Sequence, residues 1–229
     1  MTYWVIFAVM RGIESRRRLR DERLRSAQLE TQLAQSQLQA LRMQLQPHFL
    51  FNTLNAISAL VLSNPAQARL MIARLGDFLR LTLEERHAPQ IPLSRELEFL
   101  RCYLAIQQVR FQDRLTTRVD VSDDILNAAV PNMILQPLVE NALRHGLLPK
   151  SECGALRIVG RRVGDQLQLR VDDDGLGLPS TATREGIGLG NTRERLRVLF
   201  GHVARLELGP RAEGGTRVEL HFPYREYAT

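Results

Sequence analysis

The 229-residue chain has 31 lysines and arginines against 25 aspartates and glutamates, a formal net charge of +6, and 44% apolar residues. That balance is ordinary for one large folded domain or two small ones. Its two cysteines, Cys102 and Cys153, lie far apart with no partner pattern, which argues against a disulfide framework and a cysteine-built zinc site and fits a reducing compartment.

The charge is uneven. Residues 11–25 hold seven arginines against Glu14, Asp21 and Glu22, a local +4 that leaves +2 for everything else. A nucleic-acid surface spread over the whole protein is therefore not indicated. The first ten residues are apolar and include Trp4, the only tryptophan. They are too few for a spanning helix, which needs ~20. The positive charges also follow the apolar run, the reverse of a secretory signal. Residues 1–13 read either as the cytoplasmic exit of a membrane segment, with Trp4 at the interface, or as a terminus that is disordered or packed on a partner.

From residue 14 the chain is rich in Arg, Gln, Glu, Leu and Ala. Leu24, Thr31, Leu38 and Leu45 alternate with Ala27, Ala34 and Leu41 at three-four spacing. This pattern predicts a coiled coil, with 14–37 as its linker portion. The register continues through Pro47 and His48 to about Ser63. Proline inside a helix costs roughly 3 kcal/mol, so a kink at Pro47 is expected, unless Pro47 opens a new helix and His48 is merely a polar first-turn residue. Asn64-Pro65 signals a turn. A second amphipathic helix follows over about 66–85, carrying Leu70, Ala73, Leu75, Phe78, Leu79 and Leu81. Residues 38–92 thus form a helical hairpin, and one hairpin buries too little alone, so a dimeric four-helix bundle completes it.

Ser94 is expected to cap a third helix carrying Leu97, Leu100, Leu104 and Val109. Leu115–Val121 reads as a strand. Pro131 is expected to open a helix running to His145 and stopped by Gly146. Strands flank Gly164-Asp165 as a hairpin, and a glycine-rich loop leads to a helix over about 192–200. A last strand pair flanks Gly214-Gly215. Strands and helices are interleaved and the strand pairs are hairpins, so the expected class is α+β: helical coiled coil and hairpin, then an α/β sandwich with a mixed sheet and helices on one face.

Three segments carry chemistry. On the first, Glu140, Asn141, Arg144 and His145 cluster on an otherwise apolar helix; the plain alternative is a solvated polar face. The second, Val171–Leu178, places Asp172, Asp173 and Asp174 at a strand end before Gly175 and Gly177. Glycines let a backbone approach a ligand, and a buried carboxylate there can accept from an exocyclic amine; an acidic turn is the alternative. The third, Gly186-Ile-Gly-Leu-Gly-Asn191, feeds a helix N-terminus, where free amides favour anions. It lacks the Lys-Ser/Thr of a Walker loop and the Rossmann spacing, and a flexible linker is its alternative.

Together and in this order, these segments resemble the nucleotide-binding boxes of the GHKL ATPases, which include gyrase, heat-shock protein 90 and histidine kinases. Gln46-Pro-His-Phe-Leu-Phe-Asn-Thr-Leu-Asn55 resembles the phosphoacceptor segment of LytS-type sensor histidine kinases. Glu98-Phe-Leu-Arg-Cys-Tyr103 and Arg110-Phe111 resemble that family's linker. The resemblance spans about residues 38–223. It implies a phosphotransfer and dimerisation hairpin at 38–92, and a linker helix plus Bergerat-type GHKL domain at 93–229.

The resemblance also implies roles. His48 would accept the phosphoryl group, with Asn52 orienting its imidazole. Asn141 would help hold Mg²⁺ with the phosphates of ATP, and His145 would join the ATP site. Asp173 would read the adenine amine in a pocket shaped by Gly175 and Gly177. Gly186, Gly188, Gly190 and Asn191 would close over the phosphates, Thr216 would line the pocket, and 178–187 would form a lid. Phe49 stands where many histidine kinases have an acidic residue, a feature the LytS-type pattern shares. Pro137 stands where many relatives have a second polar residue.

The activity implied is ATP-dependent autophosphorylation of His48, followed by transfer to an aspartate of a response-regulator receiver domain. The implied protein is a homodimer, cytoplasmic at the inner face of the membrane, under an upstream membrane sensor. An ATP-binding scaffold without kinase activity is the alternative. A basic-zipper DNA-binding protein is disfavoured: the arginine stretch lacks the usual base-reading Asn, and the nucleotide boxes would go unexplained. No direct nucleic-acid binding is expected.

Overall fold

The computed structural model describes residues 47–84, 88–111, 114–150, 152–178 and 187–228. The membrane-exit reading of 1–13, the coiled coil from residue 14, the kink before Pro47, and Gly186 with most of the 178–187 lid lie outside the described residues. The chain divides into two compact units, Met1–Asn55 and Ala56–Thr229. Of the first, the described part is helical and belongs to helix α1 (Pro47–Ser63). Within it the Thr53 hydroxyl donates to the Phe49 carbonyl at 2.8 Å, a back-bond one turn up the helix.

In the second unit, the expected turn at Asn64-Pro65 is a helix cap. The Asn64 Oδ1 accepts the Gln67 amide at 3.1 Å, and Pro65 opens α2 (Pro65–Glu84), the position where a missing N–H costs nothing. Ala68, Met71, Leu75, Phe78 and Thr82 are buried at three-four spacing. This stripe is displaced from the expected one, since Leu70 is half exposed and Ala73 exposed. It packs against α3 (Leu93–Phe111), whose Phe99 and Tyr103 rings lie 4.8 and 6.1 Å from that of Phe78. Arg74 Nη1 also donates to the Ala105 carbonyl at 3.0 Å.

A short strand β1 (Gln90–Pro92) precedes α3 and pairs antiparallel with β3 (Ala129–Pro131), a two-stranded sheet not foreseen from the sequence. Helix α3 starts at Leu93, not after Ser94. Its first amides need no serine cap, because Leu93 and Ser94 donate to the Ala128 and Leu126 carbonyls at 2.9 Å each. Between β1 and β3 in sequence, β2 (Leu115–Val121) appears as expected.

Pro131 ends strand β3 and opens no helix. The helix begins at α4 (Gln136–Asn141), where Pro137 takes the early position that suits proline. Gly146 does not stop it either; the chain passes through it in a π-helical turn, Ala142–Leu147.

The main sheet has the order β2-β4-β5-β7-β6, with β4 (Gly154–Val163), β5 (Gln166–Asp173), β6 (Arg205–Pro210) and β7 (Thr216–Pro223). The pair β2–β4 is parallel and the others antiparallel. Both expected hairpins are present, turning at Gly164-Asp165 and ahead of Thr216. Leu156, Ile158, Leu167, Leu169, Val171, Val218, Leu220 and Phe222 are all buried on one face. Alternating with them, Arg157, Gln168, Arg170, Arg217 and Glu219 stay partly or fully exposed on the other. That period of two puts the helices on one side of the sheet. Helix α5 (Ile187–Phe200) closes the core there, its Phe200 ring stacked on Phe222 at 5.1 Å.

Candidate functional site

The helix carrying Asn141 starts as α-helix and widens into a π-turn, where Leu148 donates to the Leu143 carbonyl five residues back at 2.8 Å. Such widened turns occur mostly as single insertions and frequently at functional sites. Leu138, Val139, Ala142, Leu143 and Leu147 fill the core beneath it. Glu140 and Asn141 stay half-buried, Arg144 and His145 exposed. Gln136 Nε2 steadies Glu140 by donating to its Oε1 at 2.8 Å.

Gly146 is the contact between this turn and the Asp-Gly loop. A Cβ there would lie 2.5 Å from Asp173 Oδ1, and one at Gly175 would run into the Gly146 backbone, closer than real Cβ contacts come. The Leu176 amide donates to the Gly146 carbonyl at 3.2 Å. Lys150, just past the π-turn, ties the two segments again: its Nζ lies 3.3 Å from Asp174 Oδ2 and donates to the Asp174 carbonyl at 3.2 Å.

Asp173 ends β5 and is only 2% exposed. Its Oδ1 accepts the Gly175 amide at 2.9 Å, and the Thr216 amide also donates to its carboxylate. Burial raises the carboxyl above the usual range against those two hydrogen bonds. An ionised carboxylate has about four lone-pair sites, so two backbone donors leave it able to accept from a further N–H. The Asp173 carbonyl takes Arg211 Nη1 at 2.8 Å. Gly215, at φ +85°, lies so close to that carbonyl that a Cβ would overlap it. Thr216, buried, sits opposite Asp173 in the ladder, and Gly177 follows at φ +79°.

The third segment differs from its expected form. Gly188 and Gly190 are not in a loop; they sit in the first turn of α5, which starts five residues before Thr192. Burial of Leu189 and Leu196 and the bond from the Thr192 hydroxyl to the Gly188 carbonyl, 2.9 Å, offset glycine's poor helix propensity. A Cβ at 188 would lie 3.8 Å from Pro137, so α4 and α5 run close here, while the space at 190 is open. Asn191 is exposed.

Asn141, His145, Asp173, Gly175, Gly177, Gly188, Gly190, Asn191 and Thr216 thus all belong to the second unit, and His48 and Asn52 lie one turn apart on α1 in the first. Sequence reasoning missed Gly146, Lys150, Arg211 and Gly215. Gly146 read as a helix stop and Gly215 as a hairpin turn, which glycines commonly are; the chain offers no local sign that both press on Asp173.

A one-sided mixed sheet, with a buried aspartate backed by the glycine of an Asn-bearing helix, defines the α/β sandwich of the GHKL ATPases. Comparison with known families agrees: residues 129–226 match the family described as histidine kinase-, DNA gyrase B- and HSP90-like ATPase, and residues 36–115 match the histidine kinase family. The chain belongs to the sensor histidine kinases, of the LytS type. It is 37% identical to sensor histidine kinase YpdA of Escherichia coli (strain K12) over 211 residues, covering 87% of this chain and 36% of that protein. It is 31% identical to sensor protein LytS of Bacillus subtilis (strain 168) over 216 residues, 89% of this chain and 36% of that protein. Among solved structures, the histidine kinase domain of the Erythrobacter litoralis EL346 blue-light activated kinase is similar, with a TM-score of 0.48 and 22% identity over 66% of this chain and 73% of that one. The chain spans about a third of the length of the curated relatives it matches.

Proposed function

We propose that this chain is the kinase core of a two-component sensor: it binds ATP with Mg²⁺, phosphorylates His48 and passes the phosphoryl group to an aspartate on a response-regulator receiver domain. The observation that carries this reading is the meeting of Gly146 with Asp173 and Gly175, in a chain whose histidine segment matches the histidine kinase family.

The Asp173 carboxylate accepts the adenine amine, held for it by the Gly175 and Thr216 amides. Gly175 and Gly177 give the ring a side-chain-free wall, and Thr216 lines the pocket. The first-turn amides of α5, together with Gly186, Gly188, Gly190 and Asn191, face the phosphates, as suits a helix N-terminus. His145, exposed on the π-turn, joins Asn141 in contacting the nucleotide. Asn141 offers an amide oxygen, and magnesium takes few protein ligands beside substrate phosphates. When bound, the ion neutralises charge on the transferring group. Neutral imidazole is the nucleophile, since its unperturbed pKa of about 6.5 leaves it uncharged at cellular pH, and Asn52 orients it.

The domain scheme follows: 38–92 as phosphotransfer and dimerisation hairpin, 93–229 as linker helix and ATP-binding domain. Phe51, Leu54, Val61, Leu62, Leu70 and Ile72 are all substantially exposed on α1 and α2. Apolar exposure on that scale supports a homodimer formed through these helices. Among the described residues no helix is long and apolar enough to cross a membrane. The arginines at 11–25 after an apolar run support a position at the inner membrane face, below a membrane sensor.

The test is incubation with γ-labelled ATP and Mg²⁺, wild type against His48→Gln. Acid-labile, base-stable label on the wild type alone is the expected result. Label retained on the variant overturns the assignment of His48; nucleotide binding without label on either protein points to a scaffold.

A further inference from the structure

Glu96 is an acidic residue at the centre of the second unit that the ATP-site reading does not use. It lies on α3, is 1% exposed, and its amide donors lie outside the nucleotide boxes. Its Oε2 accepts the Met133 amide and its Oε1 the Leu135 amide, each at 2.8 Å. These donors belong to the loop between β3 and α4, where Met133 takes the left-handed conformation, φ +55°, rare for a side chain of its size. The residue at the α4 N-cap is Leu135, which can offer no side-chain acceptor. The acceptor comes instead from Glu96, 39 residues earlier in the chain.

The same loop is gripped from its other side. Arg195, on α5, donates through Nη1 to the Asn132 carbonyl and through Nη2 to the Pro89 carbonyl, the latter at 3.4 Å. Its charge attracts that of Glu96. One loop is thus held between the linker helix and the helix of the glycine box, and it launches the short helix ending in Asn141. An apolar side chain would fill this space at less cost than a carboxylate, whose burial is unfavourable unless its hydrogen bonds are needed.

We infer that Glu96 is a positioning residue for the nucleotide site: its carboxylate sets α4, and with it Asn141, in register with linker helix α3. This rests on the reading of that site as an ATP site. Met133 keeps its conformation only while both amides are held, so loosening the grip lets the start of α4 shift. Asn141 lies only one and a half turns further on.

Burial pushes the Glu96 carboxyl up to about 7, so its ionisation changes near neutral pH. Arg195 is the charged group facing it from α5. The loop presents amides, β1 and β3 carry no charged residue, and on its own helix Arg95 is paired with Glu98 at 2.6 Å.

The experiment compares the full chain, Glu96→Gln and Phe78→Leu, titrating each with Mg-ATP well below its melting temperature. Phe78→Leu loosens the α2–α3 seam at Phe99 and Tyr103 while leaving both Glu96 hydrogen bonds in place, and serves as the stability control. A hydrogen bond to a charged acceptor is worth enough that Glu96→Gln should weaken ATP binding by about tenfold at pH 8, with Phe78→Leu at the wild-type value. The ratio of variant to wild-type dissociation constants should shrink towards one by pH 6, as the wild-type carboxyl takes up its proton; taking the ratio cancels the titration of ATP itself. A Glu96→Gln constant equal to wild type, one weakened no more than by Phe78→Leu, or a ratio flat with pH overturns the inference. Wild-type protein that fails to bind Mg-ATP overturns the ATP-site reading, and this one with it.

Discussion

Gly175 lies directly against Gly146: a single methyl group on Gly175 would occupy the space of the Gly146 backbone. Neither glycine is required by its own backbone angles, since neither has positive φ. What each needs is room: a Cβ at 146 would meet the Asp173 carboxylate, and one at 175 the Gly146 backbone. Gly146→Ala and Gly175→Ala are expected to cost about 1–3 kcal/mol of stability through overpacking. They should also weaken ATP binding at least tenfold, because the methyl at 146 meets the Asp173 carboxylate and the methyl at 175 pushes on the Gly146 backbone that packs against it. Thermal unfolding and nucleotide titration of the two variants check this; alanine at either position with wild-type affinity would show that the contact does not shape the pocket.

Asp173→Asn keeps the size of the side chain and changes its chemistry. The Gly175 and Thr216 amides draw the remaining carbonyl oxygen of the asparagine, leaving an NH₂ facing an incoming amine, donor against donor. Affinity for ATP should drop by about 1.5–3 kcal/mol, the worth of a hydrogen bond to a charged group, while circular dichroism stays that of the wild type. Calorimetric titration with ATP measures it.

Gly190→Ala separates stability from function. Nothing lies within 4 Å of a Cβ at this position and it sits in the first turn of α5, so alanine should stabilise the protein by about 0.5–1 kcal/mol. If the bare backbone at 190 is there for close approach of phosphates, ATP binding should weaken even as the melting temperature rises. Both quantities rising together would assign Gly190 no part in the phosphate site.

Glu96 should leave a signature in pH-dependent stability. Its carboxyl is raised by burial from an ordinary value of 4.5 to about 7, so the native protein holds this proton more tightly than the unfolded chain does. The stability it contributes is fully present below pH 4.5 and is lost as pH rises through 7. A shift of that size corresponds to on the order of 3 kcal/mol. Urea unfolding between pH 4.5 and 8 should show wild type losing stability relative to Glu96→Gln by roughly that amount; parallel curves would show that Glu96 is not titrating in this range.

Much of the fold was legible in the chain because local patterns were strong. The strand at 115–121 and the hairpins at Gly164-Asp165 and Gly214-Gly215 follow from period-two apolar residues bracketing turn formers. The errors share one cause. Pro131 looked like a helix start, yet Pro137 is the proline in that role, because β3 found its partner in β1, forty residues back. Ser94 looked like a cap, but the carbonyls of Leu126 and Ala128 had already taken the amides. The glycines of the third box looked too flexible for helix, and burial of Leu189 and Leu196 overrode that preference. In each case a contact distant in sequence outweighed a local propensity of about 1 kcal/mol.

The sequence alone determined the family and the order of its parts: a histidine beside a proline at 47–48, an asparagine-bearing helix, an Asp-x-Gly-x-Gly turn and a glycine run ahead of a helix. Those are chemical identities at fixed spacings, which a linear chain displays in full. Tertiary structure decided which glycines are indispensable and which carboxylates are buried. Gly146, Gly175 and Gly215 surround Asp173 from three separate segments, and Glu96 caps a helix that starts forty residues after it. Close approach and desolvation are properties of pairs brought together by folding, so no one position in the chain records them.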